Sequence, residues 1–184
     1  MKEGYRQVTL LQLLSHTGGI PGGVGSEEVW SLAYKGFGEA KQRPLCLEKL
    51  LTEVDPVGAP GERYEYSNWG YTLAGFILEK HNGRSYEELL TKYVTEPLGI
   101  TSLGYGAPKG KGSPWGHGEQ SGWKPKDPEE SGSDNPLGIA PAGTMHLAMS
   151  DWGRFIAACT SQKLAESVLG VKPEIFEVSE RSSR

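Results

Sequence analysis

Apolar residues recur at helical spacing along most of the chain. Thr9 opens the first such segment, about 9–16, in a capping box with Gln12, and Gly18-Gly19 is expected to end it in the left-handed conformation. The same periodicity and capping signals predict further helices at about 26–36, 47–54, 67–82, 85–94, 148–160 and 163–169. Because no two convincing alternating segments occur, the pattern predicts a mainly α fold with long loops.

The longest irregular stretch runs from Ile100 to Pro141. It holds many Gly and Pro residues, several charges and little periodicity. A stretch of this kind is either a functional loop or a disordered connector, and the sequence leaves both open. The length of 184 residues fits a single domain, 1–184, with a helical region over about 8–160 and a tail, 170–184, that we expect to fray.

Composition and charge disfavour several classes of function. A formal net charge of −4 leaves no basic stripe, so neither nucleic acid nor an anionic membrane surface is an expected partner. No run approaches the roughly 18 apolar residues of a transmembrane helix, and the first residues lack the apolar core of a secretion signal. The histidines are scattered, and no zinc or nucleotide motif occurs, so no metal and no cofactor is expected.

One short motif carries candidate chemistry. Tyr66-Ser67-Asn68 stands where an extended segment after the Pro60-Gly61 turn enters the helix predicted at 67–82. A Tyr and an Asn two residues apart across such a turn can face one cleft, the phenol as a proton carrier and the amide as a hydrogen-bond partner. A capping Ser67 beside an interface tyrosine is the alternative, and the tripeptide alone does not decide between them.

Four phrases together resemble the serine β-lactamase and penicillin-binding-protein family, especially class C β-lactamases, D-alanyl-D-alanine carboxypeptidases and esterase-like members. They are VTLLQLLSHTGGI from Val8, PGERYEYSNWGYTLAGFILEKHNGRSYEELL from Pro60, EPLGI from Glu96 and DNPLGIAPAGTMHLAMSDWGRF from Asp134. The resemblance implies the helical part of the β-lactamase/transpeptidase-like fold, without most of its antiparallel sheet.

The resemblance also implies roles for named residues. Family members acylate a serine at the start of a buried helix, and a lysine one turn later helps to remove the serine proton. Tyr66 takes the position of the catalytic tyrosine that shuttles a proton, and Asn68 that of the asparagine that holds the substrate amide. Ser67, Trp115 and Asn135 are further candidates for substrate contact. The substrates implied are β-lactams, D-alanyl peptides or small esters.

Two family motifs are expected to be missing. Ser-x-x-Lys lies upstream of the phrase that begins here at Val8, and only seven residues precede Val8. The Lys/His-Thr/Ser-Gly motif should follow the segment that ends near Ile156, and no strand of that kind is predicted there. We therefore expect the chain to lack the nucleophile and to be nearly inert alone.

Two formal matches to those motifs are rejected. Ser121-Gly122-Trp123-Lys124 reads Ser-x-x-Lys, but it lies between Gly118 and Pro125, where no helix can place the lysine one turn above the serine. His16-Thr17-Gly18 reads His-Thr-Gly, but it follows the first helix and is interpreted as a helix stop.

Three hypotheses about function remain. The first is a serine hydrolase fragment that supplies the Tyr-x-Asn wall of an acyl-transfer site. The second is a non-catalytic binding or interaction domain of the same descent, and the third is a truncated product without function. The surface left by the missing sheet is expected to bind a completing chain or a second copy. Family members are often periplasmic or secreted, and the sequence leaves the localisation of this chain unknown.

Overall fold

The computed structural model describes residues 1–36, 38–119 and 122–174. These residues form two compact units. The first contains Met1–Tyr86 and Tyr105–Met145, and the second contains Glu87–Gly104 and the described residues from His146 onward. A compact unit need not fold independently, so the prediction of a single domain stays a prediction.

Most of the regular structure is helical, as the sequence pattern predicts. In the first unit the helices are α1 (Leu10–Leu14), α2 (Glu27–Lys35), α3 (Gln42–Glu53) and α4 (Asn68–Asn82), with 3-10 turns at Glu3–Tyr5 and Leu137–Ile139. The second unit contains α6 (Met149–Thr160), α7 (Gln162–Leu164) and π-helical turns at Thr91–Thr95 and Ala165–Leu169. Helix α5 (Tyr86–Leu90) begins at the last residue of the first unit's opening segment.

The described residues contain a single small sheet. Strands β1 (Gly104–Tyr105) and β2 (Met145–His146) pair with each other. The prediction of a mainly α fold that lacks most of a sheet is therefore confirmed. Within the described ranges, no helix is long and apolar enough to cross a bilayer.

The helix boundaries test the local signals in the sequence. The capping box of α1 forms, because Gln12 N donates to Thr9 Oγ1 (3.3 Å) and Thr9 N donates to Gln12 Oε1 (2.9 Å). After α1 the left-handed conformation is taken by His16 (φ 58°) and again by Gly19 (φ 70°), so the expected stop begins two residues before Gly18. Helix α3 begins at Gln42, five residues before the predicted Leu47.

The core of the first unit lies among α2, α3 and α4. Trp69 at the start of α4 is fully buried, and its ring centroid lies 4.9 Å from that of Trp30 in α2. Leu47 and Leu50 of α3 are likewise buried. Burial of each such leucine contributes about 1.5–3 kcal/mol. This packing fixes the first turn of α4, which is the turn that carries the candidate motif.

A buried arginine that the sequence pattern does not single out joins four segments of this unit. Arg43 of α3 is 2% exposed and forms an ion pair with Glu79 of α4. Its Nε donates to Gly138 O (3.0 Å), and its guanidinium lies 5.9 Å from the ring centroid of Tyr86. Glu79 also accepts from Tyr86 N (2.8 Å). Arg43 therefore fastens α3, α4, the start of α5 and the turn at Leu137–Ile139 to one another.

Asp151 has a similar role in the second unit. Its Oδ2 accepts from Thr101 N, Ser102 N and Ser102 Oγ at 2.7–2.9 Å, and Arg154 Nη1 donates to its Oδ1 (2.8 Å). Those hydrogen bonds, first of all the one from Ser102 Oγ, lower the pKa of the Asp151 carboxyl. The carboxylate thus holds the segment after Gly99 against the first turn of α6.

Candidate active site

Ser67 ends the extended segment and caps α4. Its backbone is extended (φ −145°), and its Oγ accepts from Gly70 N (3.2 Å) while donating to Pro21 O (3.2 Å). The residue is 2% exposed. A capping hydroxyl satisfies one of the unpaired amides of the first helical turn. The side chain of Ser67 therefore stabilises the helix start, and its burial does not favour the predicted substrate contact, which stays a prediction.

Tyr66 and Asn68 flank this cap and reach each other. The Tyr66 hydroxyl donates to Asn68 Oδ1 at 3.1 Å. Tyr66 is 58% exposed, and Asn68, the first residue of α4, is half-buried. With Oδ1 accepting from the phenol, the Nδ2 group is the donor that a substrate carbonyl would meet. The structure thus brings a phenol and an amide within hydrogen-bond distance of each other at an accessible edge, and their roles toward a substrate stay predictions.

His16 lies against this pair. Its Nδ1 accepts a hydrogen bond from Ser67 N (3.1 Å), and its ring centroid lies 4.7 Å from that of Tyr66. The rings of Tyr71 and Tyr64 lie 5.1 and 5.6 Å away. Burial lowers the pKa of His16 below its usual value, which favours the neutral imidazole that the Nδ1 acceptor requires.

Backbone contacts bring α1 and the Tyr66 segment together. Glu65 N donates to His16 O (2.8 Å), Gly61 N donates to Thr17 O (2.7 Å), and the Tyr71 hydroxyl donates to Leu14 O (2.9 Å). A Cβ at Gly22 would clash with the backbone oxygen of Tyr66 and lie 3.2 Å from Tyr66 C, so the backbone of the Tyr66 segment passes close only because position 22 is glycine. The segment after α1 therefore packs against the Tyr66 segment and holds it in place.

The other predicted site residues lie elsewhere in this unit. Trp115 is 47% exposed, two residues before the isolated bridge between His117 and Pro125. Asn135 is half-buried beside Asp134, whose Oδ2 accepts from Thr144 Oγ1 (2.9 Å). Within the described ranges, no hydrogen bond or ring contact joins Trp115 or Asn135 to the Tyr66–Asn68 pair. Substrate contact by these two residues stays a prediction.

The rejected Ser-x-x-Lys match covers residues 121–124, and its Ser121 lies outside the described residues. The two residues that follow it, Gly122 and Trp123, have φ values of 63° and 61°. A right-handed helix requires negative φ throughout, so the geometry of these two residues agrees with the argument against a helix there.

His16 contributes a contact to the site that sequence reasoning does not find. The sequence pattern indicates only a helix stop at this position, and the structure does place His16 there. Its contact with Ser67 spans 51 positions, which no local pattern reveals. The left-handed backbone of His16 appears only in the structure, because the sequence places the expected left-handed stop at Gly18-Gly19. In the described part of the chain, no group of three or more His, Cys, Asp or Glu side chains could hold a metal ion.

The mainly helical architecture agrees with the helical part of the β-lactamase/transpeptidase-like fold. The chain belongs to the Beta-lactamase family, whose family model matches residues 2–176.

Known proteins similar to this chain agree with that assignment. A Beta-lactamase-like protein of Arthroderma benhamiae is 26% identical over 199 residues, which cover 97% of this chain and 32% of that protein. Protein flp of Staphylococcus aureus is 31% identical over 98 residues, which cover 53% of this chain and 18% of that protein.

Solved structures show the same fold. A D-stereospecific amidohydrolase from Streptomyces sp. is 26% identical with a TM-score of 0.64, over 92% of this chain and 54% of that one. An octameric penicillin-binding protein homologue from Pyrococcus abyssi is 26% identical with a TM-score of 0.58, over 81% of this chain and 34% of that one. This chain thus spans about a third to a half of these longer relatives and corresponds to a fragment of the family fold.

Proposed function

We propose that this chain supplies the Tyr-x-Asn wall of a serine acyl-transfer site for β-lactams, D-alanyl peptides or small esters. The observation that carries the proposal is the Tyr66–Asn68 pair, in which an exposed phenol and an amide meet at 3.1 Å at the start of α4. A positive helix end at this position also favours negative charge that develops on a reacting carbonyl. The D-stereospecific amidohydrolase among the similar structures agrees with a D-amino acyl substrate.

The proposed reaction follows from the chemistry of these two groups. A serine hydroxyl attacks the substrate carbonyl carbon, and the C–N or C–O bond to the leaving group then breaks. The Tyr66 phenol passes the serine proton to the leaving group, and water later hydrolyses the acyl-serine by the same route. The Asn68 amide donates to the carbonyl oxygen of a flanking amide and orients the substrate.

We assign the nucleophile of this reaction to the Ser-x-x-Lys helix of the family fold, which this chain does not supply. Loss of a nucleophile typically lowers the rate by several powers of ten. We therefore expect the isolated chain to bind substrate weakly and to turn it over negligibly.

The surface that receives the nucleophile-bearing part is proposed to include α1. This five-residue helix buries only Leu13, whereas Leu10, Leu11 and Leu14 are 47%, 58% and 42% exposed. Leu14 O accepts from Tyr71 of α4, so this apolar face adjoins the Tyr66 cluster. An exposed apolar surface of this kind is typical of a protein-binding site. The proposed partner is a completing chain that carries the Ser-x-x-Lys helix.

A non-catalytic binding domain is the second candidate. It is favoured by the geometry beside Ser121, since Gly122 and Trp123 both have positive φ, where a Ser-x-x-Lys nucleophile needs a helix. In this alternative the Tyr66–Asn68 pair binds the same acyl compounds without turning them over.

Acylation measured by intact mass tests the assignment of the nucleophile. The purified chain is incubated with a penicillin and with p-nitrophenyl acetate, beside Tyr66→Phe and Ser121→Ala variants. We expect no covalent adduct and no turnover above that of Tyr66→Phe. An adduct that is lost in Ser121→Ala would show that this chain carries its own nucleophile and would overturn the assignment.

A further inference from the structure

We propose that His16 is a positioning residue for the reaction assigned to the Tyr66–Asn68 pair. Its imidazole contacts the backbone at Ser67 and the ring of Tyr66. These contacts set the geometry in which the phenol hydrogen-bonds to Asn68. The inference rests on the proposed function of that pair. It concerns a residue that touches neither the reacting atoms nor the substrate in the proposed reaction.

Two contacts at different atoms of the same residue carry the argument. The Nδ1 atom accepts a hydrogen bond from Ser67 N at 3.1 Å. The centroid of the imidazole ring lies 4.7 Å from that of the Tyr66 ring, and the two ring planes make an angle of 44°. Ser67 is the residue between Tyr66 and Asn68. A shift of the Ser67 backbone would therefore move both partners of the pair, and a displacement of about 1 Å at a reacting group is enough to lower catalysis severely.

The backbone of His16 gives a second reason to assign the residue a role. It has a φ of 58°, a left-handed conformation that is uncommon for residues other than glycine, although histidine adopts it more often than most. A histidine there carries a small conformational cost that its side-chain contacts must offset. Tyr71, whose ring centroid lies 5.1 Å from that of the imidazole, is anchored through its hydroxyl to Leu14 O and so also helps to hold the His16 ring.

The hydrogen bond to Ser67 N depends on the protonation state of His16. Nδ1 can accept only when it carries no proton, so the neutral Nε2–H tautomer is required. The titratable side chains in ring contact with His16 are the phenols of Tyr64, Tyr66 and Tyr71, and Glu65 meets it through the backbone. Burial lowers the pKa of His16, so the contact persists at neutral pH and is lost as the pH falls through that lowered pKa.

The test follows individual atoms of the isolated chain by NMR as the pH is lowered from about 8 until the His16 imidazole has become protonated. We expect the Tyr66 ring and the Asn68 side-chain amide to shift with the same midpoint as His16. The protection factor of the Ser67 amide should fall about tenfold on protonation, relative to amides later in α4.

Variants separate the hydrogen bond from packing. His16→Phe keeps a ring but has no acceptor, so the pH dependence at Tyr66 and Asn68 should vanish and Ser67 protection should be low throughout. His16→Asn suits the left-handed backbone and offers a carbonyl acceptor, so it should restore part of the Ser67 protection. His81→Phe, at the exposed end of α4, is the matched control and should retain the wild-type titration.

A His16 titration that leaves Ser67, Tyr66 and Asn68 unchanged would overturn the proposal, and the wild-type titration alone decides this if His16→Phe fails to fold. The readout needs no substrate. Absence of binding by an acyl ligand would therefore count against the proposed function while leaving this test intact.

Discussion

The residues at the start of α4 have different roles: one stabilises the helix, and its two neighbours present polar groups at the surface. Ser67 is buried and caps the helix, whereas Tyr66 is 58% exposed and bonded through its hydroxyl to Asn68. A motif that reads as one tripeptide therefore contains two outward-facing groups and one inward-facing group. Since the extended chain alternates its side chains and the helix begins at Asn68, this division follows from the backbone geometry at the junction.

The buried hydroxyl of Thr144 offers a test at the scale of a single residue. Thr144 has a φ of 89°, an outlier for a β-branched residue, and it is 8% exposed. Its Oγ1 donates to Asp134 Oδ2 (2.9 Å) and accepts from Gly106 N (2.8 Å), so the hydroxyl joins both ends of the 106–144 stretch.

Removal of this hydroxyl should cost stability without a change of shape. We expect Thr144→Val to lower the free energy of unfolding by about 1–3 kcal/mol, since Asp134 loses a buried donor. Thr144→Ser keeps the hydroxyl and should stay within about 1 kcal/mol of wild type. Urea denaturation measures both variants, and equal effects of Val and Ser would mean that the hydrogen bonds contribute little.

Helix packing depends on glycine at one position of α4. A Cβ at Gly75 would lie 2.5 Å from Pro141 Cβ, so the helix can approach the Pro141 segment only without a side chain there. Gly153 is also inside a helix, α6, but a Cβ at that position would meet nothing within 4 Å.

The two glycines should respond to alanine in opposite directions. Gly75→Ala should lower the free energy of unfolding by about 1–3 kcal/mol through overpacking. Gly153→Ala should raise helix stability by about 0.5–1 kcal/mol through propensity alone. Thermal unfolding followed by circular dichroism compares them, and a neutral Gly75→Ala would contradict the close approach of α4 to Pro141.

The Arg43–Glu79 pair should couple α3 to α4. Arg43→Met leaves the carboxylate of Glu79 without its charged partner and should destabilise the chain by about 3–5 kcal/mol. Arg43→Met combined with Glu79→Leu should cost less than the sum of the two single changes, by about 1–3 kcal/mol. Additive effects in a urea double-mutant cycle would show that the two side chains act independently.

Sequence predicts a helix well when the residues that begin and end it lie within the helix itself or directly beside it. The start of α4 at a Ser cap and its end at Gly83, which has a φ of 64°, are both predictable from sequence because cap and stop lie within the element. The predicted start of α3 is five residues late. Its first turn carries Arg43, a charged residue buried by partners 36 and 95 positions away, and such burial leaves no hydrophobic periodicity.

The candidate site follows the same division. Tyr66 and Asn68 are proposed from the sequence because they stand in a contiguous phrase that resembles the family motif, whereas the tripeptide alone leaves the helix-cap alternative open. The placement of His16 against Ser67 is not predictable, because it depends on how the end of α1 packs on α4. Sequence reasoning therefore finds the groups proposed to act on the substrate and misses the group proposed to hold them.

At the scale of the whole molecule, the chain is a helical portion of the Beta-lactamase family fold, about a third to a half of its longer relatives. The proposed wall of the acyl-transfer site lies within one compact unit, since Tyr66, Asn68 and His16 all belong to the first. Binding by that wall is therefore measurable in this chain without the nucleophile.

The most direct test of the central proposal is an NMR titration of the labelled chain with N-acetyl-D-alanyl-D-alanine, with the L,L-dipeptide as control ligand and Asn68→Leu as control variant. The account predicts shifts concentrated at Tyr66 and at the Asn68 side-chain amide, weaker with the L,L-dipeptide and absent in Asn68→Leu. Saturating D,D-dipeptide that leaves Tyr66 and Asn68 unshifted, or shifts them no more than the L,L-dipeptide does, would contradict the assignment of this pair to substrate binding.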